Sequence, residues 1–135
     1  MSQNVEVVRR VIEANRSDDI EAGIEAILAL SDPSCELRSA VYAVEGATYR
    51  GHDGIRRYFS DMADAWQEWR NEADEILEIG PDAVLVNIHF RAVGHSGTAV
   101  EARNALVFVL SEGKCLSMHS YATREEALEA VGLRE

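Results

Sequence analysis

Apolar residues recur along the first part of the chain at helical spacing. Val5, Val8, Val11 and Ile12 share one face of a first helix, and Ile20, Ile24, Ile27 and Leu28 one face of a second. The polar stretch Asn15-Arg16-Ser17-Asp18-Asp19 between them is rich in capping residues. Asp32-Pro33 closes the second helix, since proline disfavours helical backbone before it, and Cys35 to Ser39 reads as a short strand. A third helix places Ile55, Tyr58, Phe59, Met62, Trp66 and Trp69 on one broad face. Gly51 and Asp53 suit its N-terminal end.

The pattern then changes to strands. Glu72 to Ile79, Ala83 to Ala92, Thr98 to Leu110 and Lys114 to Tyr121 are divided by Gly80-Pro81-Asp82, Gly94-His95-Ser96-Gly97 and Glu112-Gly113. Such short turns make antiparallel neighbours. Thr123 with Glu126 forms a capping box for a last short helix, which Gly132 terminates. These elements build an α+β fold, with helices on one side of a curved antiparallel sheet.

Turn chemistry assigns the faces of that sheet. A two-residue loop at Glu112-Gly113 sets Val109 opposite Leu116 and Val107 opposite Met118; a turn centred on His95-Ser96 sets Phe90 opposite Glu101 and Ile88 opposite Arg103. Val84, Val86, Ile88, Phe90, Glu101, Arg103, Ala105, Val107, Val109, Leu116, Met118 and Ser120 then lie under the helices. The outer face carries Asn87, His89, Arg91, Asn104, Leu106, Phe108, Cys115, Ser117, His119 and Tyr121.

Composition narrows the partners. A chain of 135 residues, 47% hydrophobic and 27% charged, is expected to form one domain spanning 1–135. Its formal charge of −11 opposes phosphate backbones and anionic lipid, so neither nucleic acid nor a membrane surface is an expected partner. Cys35 and Cys115 form no disulfide framework, and the four histidines lack metal-ligand spacing, so no metal is assigned. With no leader-like segment and no apolar run of membrane-spanning length, the expected location is the cytoplasm.

Three stretches carry a resemblance: Tyr49-Arg50-Gly51-His52-Asp53-Gly54-Ile55, Glu112-Gly113-Lys114, and Tyr121 through Leu128. Over roughly Val5 to Leu133 the sequence resembles the nuclear transport factor 2-like superfamily, in particular its SnoaL-like, polyketide cyclase-like branch. The resemblance implies a cone of curved sheet closed by three N-terminal helices, with a short C-terminal helix, often dimeric through the outer sheet face. Members of that superfamily include isomerases, dehydratases, cyclases, epoxide hydrolases and proteins that only bind or assemble. Carried over by position, the tyrosine and two aspartates of its ketosteroid isomerases fall at Val11, within Leu37 to Ser39, and at Ala105, so those groups are missing. Its limonene epoxide hydrolases place an arginine and an aspartate two apart on a strand, and Glu101 with Arg103 has the same types in reversed order. Thr123 stands where related cyclases often carry an aspartate.

Glu101 and Arg103 are therefore the candidate catalytic pair, two apart and expected inside the cone, with an ordinary salt bridge as the alternative. Tyr58, Phe90, Met118 and Ser120 are the candidate ligand-binding residues; Tyr58 is singled out because its position matches a pocket-facing aromatic of related isomerases. The expected function is binding of a small apolar molecule with a polar group, or cofactor-independent acid/base chemistry of lyase, cyclase or hydrolase type on it. The alternative is a non-catalytic dimerisation module whose cavity its own side chains fill. A homodimer is expected through the outer face, at His89, Asn104, Phe108, His119 and Tyr121.

Overall fold

A computed structural model describes residues 2–39 and 47–132. Its elements run α1 (Gln3–Ala14), α2 (Ile20–Ala29), β1 (Ser31–Arg38), β2 (Thr48–Arg50), α3 (Gly51–Ala65), β3 (Glu68–Gly80), β4 (Ala83–Val93), β5 (Ala99–Ser111), β6 (Lys114–Tyr121) and α4 (Arg124–Ala130). One six-stranded sheet has the order β2-β1-β6-β5-β4-β3 and is not closed. The fold is α+β as expected. The sheet is mixed rather than wholly antiparallel, because β1 returns from α2 alongside β6 and parallel to it.

Local chemistry explains most boundaries. Ser2, Asp19 and Thr123 cap α1, α2 and α4 by accepting backbone N–H bonds from Val5, Ala22 and Glu126. Two expected boundaries move. Asp32-Pro33 lies inside β1, where the pairing with β6 is irregular between Ser31 and Glu36, so proline removes no regular ladder bond. Helix α3 stops at Ala65, and Trp69, expected on that helix, sits in β3. There it bonds the α1–α2 connection: Ser17 N–H donates to Trp69 O (2.9 Å), and Trp69 N–H to Ser17 Oγ (2.9 Å).

The faces of β5 are the main correction. Glu112 and Gly113 do form a two-residue loop, with φ of 51° and 77° and Ser111 opposite Lys114. One residue further the register shifts, however, so Val109 pairs with Ser117 and Phe108 with Met118. Leu116 is the extra residue of that bulge. At the other end, Gly94 N–H bonds Thr98 O, closing a loop around His95-Ser96-Gly97 with Gly97 at φ 91°. Phe90 consequently pairs with Ala102 and Ile88 with Asn104. Both offsets rotate β5 by one residue in the same sense, while β4 keeps its expected faces and β6 does so from Ser117 on; before the bulge Cys115, expected outside, joins the core, and Leu116, expected under the helices, is exposed.

The core follows from that parity. Val8, Val11 and Ile12 of α1, Ile24 and Ile27 of α2, and Ile55, Tyr58, Phe59 and Met62 of α3 pack on Val84, Val86, Ile88, Phe90, Leu106, Phe108 and Met118. Leu85, Ala105 and Val107 face the opposite way and are covered by Ala127 and Leu128 of α4. Of the residues expected at a dimer contact, Asn104 and Phe108 are thus interior, Phe108 with no exposed surface. Leu106 and Phe108, the apolar residues that motivated that contact, face the core; the apolar outer residues are instead Leu85, Ala105 and Val107, and α4 already covers them.

Candidate functional site

Between the three N-terminal helices and the sheet lies a mostly apolar cavity. Its walls include Val11, Ile12 and Ile27 from the helices and Ile88, Leu106, Phe108 and Met118 from the sheet. Tyr58, Asn15, Asn71 and Ser120 supply polar groups. The cavity volume is about 40 Å³, room for about three waters at ~10–15 Å³ each.

The polar groups are ordered by one chain of bonds. Asn15 ends α1, and its backbone N–H reaches back to Ile12 O. Trp69 Nε1–H donates to Asn15 Oδ1 (3.1 Å), and Asn15 Nδ2 donates to Tyr58 Oη (3.0 Å). Asn71, two residues after Trp69 on the same face of β3, donates from Nδ2 to Asn15 O (2.9 Å). Asn71 is only 9% exposed, and its Oδ1 has no hydrogen-bond partner. Buried amide oxygens rarely go unpaired, because desolvating one without a bond costs ~1–3 kcal/mol. Farther along the sheet Asn104 Nδ2 donates to Ser120 Oγ (2.8 Å), both buried.

Burial holds the Tyr58 hydroxyl far above the ordinary tyrosine range, only partly offset by the bond from Asn15. It is therefore a neutral donor and acceptor at any physiological pH rather than a base. Tyr49, edge-on to Tyr58 at 5.6 Å between ring centroids, donates to Asp61 Oδ2 (2.5 Å) and is pushed up to about 12, chiefly by burial. Arg38 borders the cavity, but its guanidinium reaches Tyr121 Oη (3.2 Å) and lies over that ring. Among the described lining residues there is no carboxylate.

The structure brings Tyr58, Met118 and Ser120 together at the cavity wall; Phe90 belongs to the same core and stacks edge-on with Trp66. It does not bring Glu101 and Arg103 there. Both lie on the outer sheet face, their side chains 64% and 67% exposed, because β5 is rotated by one residue. Glu101 bonds His89 Nε2 (3.1 Å) and Arg91 Nε (3.2 Å), while Arg103 pairs with Asp74 instead of Glu101. His119 pairs with Glu36, and His52 and His95 bond backbone carbonyls of Ser31 and Ala63. Asn15 and Asn71 were missed by sequence reasoning. Asn15 reads as a capping residue in a linker, and Asn71 precedes the expected start of β3. The signal available was the alternation Trp69, Asn71, Ala73, which puts a lone amide on an apolar strand face.

A helix-backed, open, curved sheet enclosing such a cavity is the nuclear transport factor 2-like architecture. The chain belongs to the SnoaL-like domain family, whose pattern matches residues 8–118. None of the curated proteins matches it. Among solved structures it is similar to a protein of unknown function from Burkholderia pseudomallei, described as NTF2-like, at 21% identity and a TM-score of 0.76, covering 96% of this chain and 97% of that one. TerC, co-crystallised with polyporic acid, is similar at 21% identity and a TM-score of 0.76, covering 97% and 99%. Rv0760c from Mycobacterium tuberculosis, in complex with estradiol-17β-hemisuccinate, shows 15% identity and a TM-score of 0.72, covering 90% and 94%.

Proposed function

We propose that this protein binds a small, uncharged, largely apolar molecule in the cavity between helices and sheet. The observation that carries the reading is Asn71 Oδ1, an unpartnered acceptor on a mostly apolar wall. A polar atom left unpaired at a few-kilocalorie penalty marks a place where a ligand or water completes the structure. Two similar proteins, TerC co-crystallised with polyporic acid and Rv0760c in complex with estradiol-17β-hemisuccinate, support a ligand in this fold. With a neutral Tyr58 and no carboxylate among the described lining residues, binding has more support than acid/base turnover.

The volume supports a second reading. Room for about three waters suits a module whose cavity is largely filled by its own side chains, as its size of about 40 Å³ allows. Thermal unfolding in the presence of small uncharged alcohols, amides and ketones separates the two. On the binding reading at least one raises the melting temperature of the wild type, and Ile88→Phe, which fills the cavity, abolishes the shift. If none stabilises the wild type, the filled-cavity reading stands.

A further inference from the structure

The bonds around Asn15 settle which hydrogens are left over. Indole N–H can only donate, so Trp69 Nε1 at 3.1 Å fixes Asn15 Oδ1 as its acceptor. Asn15 Nδ2 must then be the donor to Tyr58 Oη at 3.0 Å. The tyrosine oxygen therefore accepts, and its own hydrogen points elsewhere; among the described residues Asn15 is the hydroxyl's only bonding partner. The backbone carbonyl of Asn15 can only accept, which fixes Asn71 Nδ2 as donor and leaves Oδ1 as the free acceptor. The hydroxyl does not bond that oxygen directly, since Oδ1 has no partner at all. One donor and one acceptor are thus presented to the cavity by two side chains that share Asn15 as their anchor.

We infer that the ligand carries a neutral group that accepts from Tyr58 Oη–H and donates to Asn71 Oδ1, with an alcohol hydroxyl on an apolar body as the simplest case. This deepens the reading of the cavity as a small-molecule site and rests on it. A carboxylate ligand offers no donor to Asn71 and would itself be desolvated beside an apolar wall. A ketone satisfies Tyr58 and leaves Asn71 unpaired. A hydrocarbon leaves both unpaired, and a site built to bond a hydroxyl rejects analogues that lack it.

The test uses three small probes of similar size, propan-2-ol, acetone and isobutane, each of which fits the room of about three waters. Their affinities are measured on the whole protein by titration of backbone amide resonances, with the Tyr58→Phe and Asn71→Leu variants alongside. Propan-2-ol is expected to bind the wild type at least about fivefold tighter than acetone, the factor of one neutral hydrogen bond, and tighter still than isobutane. Asn71→Leu should remove the preference for alcohol over ketone, and Tyr58→Phe should weaken both. Binding of the three probes within about twofold of one another, or a preference for the ketone, overturns the hydroxyl inference while the cavity remains a binding site. If none of the probes perturbs cavity resonances at concentrations that leave the protein folded, the site reading itself fails. Should either variant not fold, the wild-type ratios alone decide.

Discussion

Replacing Asn15 by alanine should cost far more than its place in a polar linker suggests. The side chain accepts from Trp69 Nε1 and donates to Tyr58 Oη, and both rings are almost wholly buried. Removing it leaves the indole N–H without its acceptor, a penalty of ~1–3 kcal/mol. Loss of the second bond adds ~1 kcal/mol, so a total of about 2–4 kcal/mol is expected. For a chain of 135 residues that is a fall of roughly 7–14 °C in melting temperature. Urea unfolding followed by far-UV circular dichroism gives the magnitude. A double-mutant cycle with Trp69→Phe isolates the cause, because without the indole donor Asn15→Ala should cost only about 1 kcal/mol. A loss below about 0.5 kcal/mol, or strict additivity of the two substitutions, would refute the network.

Glu101→Gln and Arg103→Met each change stability by less than about 1 kcal/mol in denaturant titrations, since both side chains are largely exposed; a larger loss would restore an interior role. Gly23→Ala destabilises α2 although alanine has the better helix propensity by ~1 kcal/mol, because its Cβ would lie 2.4 Å from Ala14 O; a stabilised variant on thermal unfolding would contradict the close approach of α1 and α2. Burial raises Cys35 to about 11 and Cys115 to about 12, from 9.0. The folded chain therefore keeps protons that the unfolded chain releases, so these groups make stability fall as pH rises above about 9 and leave it unchanged below. Both thiols should also resist Ellman's reagent at pH 8 until the protein is unfolded; rapid labelling of the native protein would show that they are accessible.

Element types were largely legible in the sequence, because helices α1 to α3 each carry an apolar stripe and the strands are separated by recognisable turns. Strand β6 has the bounds that the pattern predicts, and Thr123 caps α4 as its spacing with Glu126 implies. What failed was parity. A bulge at Leu116 and a loop one residue longer than a plain two-residue turn leave no mark in a run where Ala105, Leu106, Val107 and Phe108 are all apolar. Either face of β5 could be the buried one, and α4 makes both faces buried in that stretch. Hence Glu101 and Arg103 were placed inside, while Tyr58, Met118 and Ser120, on elements with clearer periodicity, line the cavity as expected. Asn71 was invisible for another reason: its role depends on Trp69, which the helical pattern had claimed for α3.

A crystal structure of the wild-type protein, exposed to a small-molecule extract of cells and solved at a resolution that separates waters from a larger molecule, decides whether the cavity is a ligand site. Continuous non-protein density is expected between α3 and the β4–β6 face, bonded to Tyr58 Oη and Asn71 Oδ1, with Ile88 and Met118 against its apolar part. Waters alone bridging those two atoms, within walls unchanged from the ligand-free protein, would contradict it.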